Sequence, residues 1–176
     1  MKYNKTYSSL QIVTLITLQL LIGWQILFEG ISKLLNPSWS SIGFLSESKW
    51  IFSGFTKWIL SNNEILKWVD LLNTWGLIAI GLGLILGLFC RIAAISGAIL
   101  LLMYYLCNPP LIGLEYSTPS EGNYLIVNKT LIESAALVVI AVFSTHLNFG
   151  LESLFANRNT KQEDFREEVI QYDEIK

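Results

Sequence analysis

Four long stretches of the chain contain no Asp, Glu, Lys or Arg: residues 6–28, 71–90, 92–114 and 134–151. The hydrocarbon core of a bilayer is about 30 Å thick, so about 20 helical residues are needed to cross it. Because each stretch reaches or nearly reaches that length, we expect an all-α integral membrane protein built as a four-transmembrane-helix bundle. The predicted helices cover about residues 10–35, 71–90, 92–107 and 129–148.

A segment rich in aromatic residues, 36–70, separates the first predicted helix from the second. Within it, residues 49–60 place Trp50, Phe55 and Trp58 at helical spacing. Trp is enriched at the depth of the lipid head groups, and a short amphipathic helix can lie in that interface without crossing it. We therefore expect an interfacial amphipathic helix in this first outer loop.

Small residues on the second and third predicted helices indicate where neighbouring helices pack closely. Ala79, Gly83 and Gly87 recur every four residues on the second helix, and Ala93 and Gly97 have the same spacing on the third. Small side chains at this spacing let two helix backbones approach in a membrane. Both stripes are predicted to be packing seams.

The positive charges predict the orientation of the bundle. All three arginines, Arg91, Arg158 and Arg166, lie on the side that carries both termini and the short turn between the second and third helices. Cytoplasmic loops carry the excess of Lys and Arg. We expect a multi-pass protein of a bacterial or archaeal inner membrane with both termini cytoplasmic, loop 36–70 outside and residues 152–176 as a cytoplasmic tail.

The content of cysteine, histidine and charge argues against several classes of function. Cys90 and Cys107 lie at opposite ends of one helix, about 25 Å apart, whereas a disulfide needs Cα atoms within about 7 Å. The single histidine, His146, cannot provide the two axial ligands of a bis-histidine haem, and no metal site is predicted. A net charge of −2 without a basic patch argues against nucleic acid as a partner.

Four charged residues lie inside or at the rim of the apolar stretches: Glu29, Lys33, Lys129 and Glu133. Each pair is spaced i, i+4 and shares a helix face, and the antiparallel topology predicts a similar depth for both. A charge at this depth costs at least a few kcal/mol unless it is paired or hydrated, so such residues indicate function. We predict one network of four catalytic residues. Salt bridges that only fix helix register are the alternative.

Further polar and aromatic residues are expected at the same end of the bundle, where they would bind a cofactor: Trp24, Asp70, Asn73, Trp75 and Tyr124. A pocket of this character suits a flat amphiphilic molecule with two carbonyl oxygens. Lys and Trp are donors that could polarise those carbonyls, and a Glu could relay protons. The predicted cofactor is a membrane quinone, either menaquinone or ubiquinone.

Several motifs follow one another in a recognisable order. FEGISKL at residues 28–34 fits the pattern F-x-G-x-x-K-L, and it is followed by Trp39, by GFL at 43–45, by a glycine-rich stretch ending in Arg at 81–91 and by GNY at 122–124. Their order and spacing resemble the DoxX/DoxD family over most of residues 20–150, and the longer first loop is closer to the DoxD branch. The resemblance implies a four-helix inner-membrane protein. DoxD itself is the membrane subunit of a thiosulfate:quinone oxidoreductase.

The leading hypothesis is a membrane subunit of a quinone-linked oxidoreductase. It would pass electrons from a partner subunit or a soluble donor, such as thiosulfate or another small reductant, to a membrane quinone. The alternative is a non-catalytic anchor that holds a soluble protein or a larger assembly at the membrane. A carrier is disfavoured by the lack of internal repeats and broken helices. The expected partners are membrane lipid and a protein subunit. The sequence does not decide whether the chain also forms a homo-oligomer.

Overall fold

The computed structural model describes residues 8–49, 51–111 and 125–143. These ranges form six helices: α1 (Ser9–Leu34), α2 (Ile42–Ser46), α3 (Ser53–Leu60), α4 (Asn63–Leu86), α5 (Cys90–Cys107) and α6 (Lys129–Val142). By length and composition, α1, α4 and α5 are able to cross a membrane. The all-helical prediction is confirmed, and these three helices indicate a multi-pass membrane protein in contact with lipid.

The second long helix, α4, begins at Asn63 rather than at the predicted residue 71. Asn62 caps it, because its side chain accepts hydrogen bonds from the backbone N–H groups of Glu64 and Ile65 at 3.1 and 3.4 Å. A charge-free stretch marks the part of a helix that can lie in hydrocarbon, whereas the cap marks where the helix starts. The predicted loop 36–70 therefore contains the first turns of α4.

The connection between α4 and α5 is as short as the sequence suggests, and its geometry has a local cause. Gly87 ends α4 in the left-handed conformation with φ of 64°, and its N–H donates to the carbonyl of Gly83. Glycine is the residue that adopts this conformation at a helix C-terminus without a steric penalty. Phe89 is also left-handed, with φ of 49°, and α5 begins at Cys90 instead of the predicted residue 92.

The core lies where α1, α4, α5 and α6 pack together. Its most buried side chains come from all four helices and are aliphatic or small: Ile26, Leu77, Leu84, Ala94, Leu137 and Ile140. The predicted seams are present in part, since Gly83 faces Ala93 so closely that a Cβ on Gly83 would be 2.9 Å from the Ala93 Cβ. Ala79 is exposed instead, and Gly87 serves as the helix cap.

Two predicted elements extend beyond what the structure describes. Helix α6 is described to Val142, so the fourth membrane span over residues 129–148 and the tail 152–176 stay predictions. Helix α3 lies inside the predicted interval 49–60, with Ile59 buried and Phe55 and Trp58 exposed. Its location in a membrane interface likewise stays a prediction.

Candidate functional site

A cavity of about 290 Å³ lies where α2 and α3 pack against α4 and α5. Aromatic and aliphatic side chains form most of its wall: Phe44, Leu45, Phe52, Phe55, Ile59, Val69, Leu72, Leu100 and Met103. The remaining wall residues are Ser41, Thr56, Asn73, Tyr104 and Cys107. An apolar concave wall with a few polar groups on one side is typical of small-molecule sites. We therefore take this cavity as the candidate site.

A chain of hydrogen bonds from three helices forms the polar edge of this cavity. The Lys33 ammonium on α1 donates to Asn73 Oδ1 on α4 at 2.9 Å, and Asn73 Nδ2 donates to the Tyr104 hydroxyl oxygen on α5 at 2.5 Å. Behind this chain, Lys33 pairs with Glu29 at 2.8 Å. The Lys33 side chain is 13% exposed and that of Glu29 is 41% exposed. The buried positive charge is thus neutralised by a carboxylate nearer the surface.

Two aromatic rings complete the surroundings of Lys33. Its ammonium nitrogen lies 4.8 Å from the centre of the Trp39 ring and 5.6 Å from that of Tyr104. Both distances fall within the range of cation–π attraction. The Tyr104 ring also packs edge-on against Phe44 at 5.4 Å between centroids. Lys33 is therefore held as a fixed positive charge directly behind Asn73.

Asp70 holds the segment before α2 against α4. Its carboxylate accepts from the Ser40 hydroxyl at 2.8 Å, from the Ser41 backbone N–H at 2.9 Å and from the Ser41 hydroxyl at 2.5 Å. Ser41 belongs to the cavity wall, whereas Asp70 does not. Asp70 thus positions the wall of the site, and its direct contact with a cofactor stays a prediction.

The end of α5 anchors the same segment from the other side. The Ser48 hydroxyl donates to the carbonyl of Cys107 at 3.0 Å, and the Asn108 amide donates to the carbonyl of Phe44 at 3.2 Å. These bonds tie the short helix α2 to the end of α5. The aromatic segment therefore forms a wall over one end of the bundle.

Glu133 and Lys129 form a second group, which contacts α1 through Gln25. Glu133 accepts a 2.5 Å hydrogen bond from the Gln25 amide of α1, and Lys129 approaches the same carboxylate oxygen at 3.8 Å. Glu133 is mostly buried and Lys129 is exposed. No hydrogen bond or ion pair between described residues joins this group to Glu29 and Lys33. The described contacts form two groups, in each of which the acid is paired with the lysine on its own helix, and a single network of all four residues stays a prediction.

The remaining predicted site residues lie elsewhere. Trp24 and Trp75 are exposed on the surface and take no part in the cavity wall. Tyr124 lies outside the described residues. Sequence reasoning missed Tyr104 and Gln25. The sequence contains a signal for both residues. Each is a polar residue within an apolar helix, at a depth comparable to that of Lys33 or Glu29.

Two other concave regions of similar size have a different character. One, of about 360 Å³, lies between the start of α1 and the end of α6, and the other, of about 350 Å³, lies along α4 and α5. Neither contains a residue of the Lys33–Asn73–Tyr104 chain of hydrogen bonds. Among the described residues, no group of three or more His, Cys, Asp or Glu could hold a metal ion. The cavity of about 290 Å³, by contrast, has Asn73 and Tyr104 in its wall, and both belong to the chain of hydrogen bonds that begins at Lys33.

Comparisons with protein-family models, with curated proteins and with solved structures give no match to this chain. Function is therefore inferred from the geometry of the site.

Proposed function

We propose that this chain is the membrane subunit of a quinone-linked oxidoreductase and that the cavity beside Asn73 and Tyr104 holds the quinone head group. The observation that carries the proposal is the combination of an apolar, aromatic wall with a hydrogen-bonding edge at Asn73 and Tyr104. A quinone head is a flat apolar ring that carries carbonyl acceptors. Its ring would lie against residues such as Phe44 and Met103, and one carbonyl would face the polar edge.

The charge distribution suits the reduction of such a ligand. A quinone takes up two electrons and two protons to become a quinol, and its carbonyl oxygens gain negative charge as the electrons arrive. Lys33, held behind Asn73, favours that charge by electrostatic attraction. Glu29, paired with Lys33 and partly exposed, is placed to exchange protons with the surroundings. The electrons come from a partner subunit or a soluble donor such as thiosulfate or another small reductant.

The second group extends the same proposal. Glu133 is a mostly buried carboxylate, and Gln25, its hydrogen-bond partner, lies one helical turn before Glu29 on α1. Ionisable groups at such a depth are costly and therefore indicate proton or ion chemistry. We assign Glu133 and Lys129 to a second proton-exchange group that contacts α1 through Gln25.

The wider setting of the proposal is a DoxX/DoxD-like protein of a bacterial or archaeal inner membrane. The order of the motifs between residues 28 and 124 supports it. In this setting the chain has a fourth membrane span and cytoplasmic termini. The bound cofactor is menaquinone or ubiquinone.

The proposal is tested by a substitution that blocks the cavity. The same substitution at an adjacent, equally exposed position outside the cavity is the control. Met103 lines the cavity and Leu102 does not, and both are 41% exposed on α5. Each would be changed to Trp, the protein would be purified from native membranes in mild detergent, and the extracted quinone would be measured per chain. We expect quinone with the wild type and with Leu102→Trp, and its loss with Met103→Trp.

Two results would contradict the proposal. One is wild-type protein without quinone, and the other is equal quinone content in Met103→Trp and Leu102→Trp. The same preparation shows which proteins co-purify. A stable protein partner in the absence of quinone would support the alternative function, a non-catalytic anchor for a soluble protein or a larger assembly.

A further inference from the structure

Lys33 sets the direction of the hydrogen bonds at the edge of the cavity. A lysine ammonium has only donors, so Asn73 must present its Oδ1 to Lys33, which lies 2.9 Å away. The amide nitrogen of Asn73 then faces Tyr104 at 2.5 Å. Because that nitrogen is also only a donor, the Tyr104 oxygen must accept the bond.

The Tyr104 hydroxyl is consequently left with a hydrogen to donate. No described residue accepts that hydrogen, although the hydroxyl oxygen is engaged by Asn73. The Tyr104 side chain is half-buried, is part of the cavity wall and is held by its edge-on contact with Phe44. A buried donor without an acceptor is unfavourable, and an acceptor on a ligand would relieve it.

We infer that Tyr104 is a specificity-determining residue that donates its hydroxyl hydrogen to a carbonyl oxygen of the ligand. The site then selects molecules with a hydrogen-bond acceptor over molecules of the same shape that lack one. This assignment rests on the proposed function for the nature of the ligand. The direction of the hydrogen bond rests on Lys33 and Asn73 alone.

The neighbouring tyrosine provides a matched control. Tyr105 is buried, and its hydroxyl donates to the carbonyl of Ile126 at 2.8 Å. It is not part of the cavity wall. Replacement by Phe therefore removes a hydroxyl from one of two adjacent positions. The Tyr104 hydroxyl at the cavity has no acceptor among the described residues, whereas the Tyr105 hydroxyl away from the cavity has one.

The test compares two probes on the full chain reconstituted in liposomes: a methyl-naphthoquinone and the methyl-naphthalene of the same ring skeleton. The measured quantity is the ratio of their dissociation constants, because partition into lipid then cancels between variants. We expect Tyr104→Phe to reduce the wild-type preference for the naphthoquinone about fivefold, the size of one neutral hydrogen bond. Tyr105→Phe should keep the wild-type preference.

The outcomes distinguish a wrong assignment of Tyr104 from a wrong proposed function. If the naphthoquinone binds and Tyr104→Phe keeps the preference, the assignment of Tyr104 is wrong and the proposed function stands. If the naphthoquinone binds neither the wild type nor the variants, the proposed function fails, and the assignment of Tyr104 fails with it. The same holds if the naphthoquinone binds Met103→Trp and the wild type with equal affinity.

An infrared measurement on the wild type keeps the assignment testable if Tyr104→Phe does not fold. A carbonyl that accepts a hydrogen bond has a stretching frequency below that of the same quinone dissolved in lipid. We expect this lower frequency for the naphthoquinone bound to the wild type. An unshifted frequency in the bound state would overturn the assignment.

Discussion

Gly81 on α4 lies directly against the backbone of Leu27 on α1. A Cβ added to Gly81 would be 2.6 Å from the Leu27 nitrogen and 2.7 Å from its Cα. Backbone atoms inside a helix cannot move aside as the end of a flexible side chain can. The absence of a side chain at Gly81 is therefore a condition for the close packing of α1 on α4.

The substitution Gly81→Ala is expected to destabilise the bundle. Over-packing of a core contact costs about 1–3 kcal/mol, which exceeds the gain of about 1 kcal/mol that Ala offers over Gly in a helix. Gly76→Ala on the same helix is the control, because nothing lies within 4 Å of its added Cβ. Thermal unfolding in detergent should show a lower Tm for Gly81→Ala alone. Equal Tm values would contradict the packing argument.

The long helices could be predicted because a span without charges is a local property of the sequence. The start of α4 could not be predicted in this way, since Asn62 and its bonds to Glu64 and Ile65 lie among charged residues outside the apolar stretch. The role of Gly87 as a helix cap could not be predicted from the sequence either. A glycine in a row of small residues looks the same whether it packs against a neighbour or caps the helix, and here it caps α4.

Only those contacts of the site that lie within one helix could be predicted from the sequence. Glu29 and Lys33 are one turn apart on one helix, so their pairing follows from sequence spacing. The partners Asn73 and Tyr104 come from two other helices. Their meeting depends on the rotation of three helices about their axes, which spacing along one helix does not determine. The same limit explains why Glu133 pairs with Gln25 and Lys129 instead of joining Lys33.

The substitution Asp70→Ala is expected to release the segment before α2. It removes the acceptor of the bonds from Ser40 and Ser41, and hydrogen bonds to a charged group contribute about 1.5–3 kcal/mol. We expect a lower Tm and faster cleavage of residues 35–41 by a protease. Glu64→Ala is the control, because its ion pair with Lys67 is exposed and contributes little. Identical behaviour of the two variants would show that Asp70 does not hold the wall.

The predicted topology places residues 120 and 159 on opposite sides of the membrane, because the charge-free stretch 134–151 lies between them. Single cysteines at Ser120 and Asn159, in a chain with Cys90→Ala and Cys107→Ala, test it with a reagent that cannot cross the membrane. We expect Ser120→Cys to react in intact cells and Asn159→Cys to react only after permeabilisation. Reaction of both from the same side would rule out the fourth span.

The substitutions Glu133→Gln and Lys129→Met are expected to abolish quinone-linked turnover while the protein still inserts and purifies. Gln keeps the shape of the Glu133 side chain and an oxygen that can accept from Gln25 at the observed 2.5 Å contact, but it cannot carry a proton. Insertion depends on the apolar faces and the close helix contacts, which neither change touches. Turnover is measured as reduction of an added quinone by native membranes that contain the variant.

Stability must be separated from chemistry in this last experiment, because Lys129→Met leaves the mostly buried Glu133 without its cation. The double variant Lys129→Met with Glu133→Gln removes both charges and is the control. If the pair serves proton exchange, the double variant regains the Tm lost in Lys129→Met and stays inactive. If the single variants lose only Tm and keep full turnover, the second group is structural and proton exchange at Glu133 is excluded.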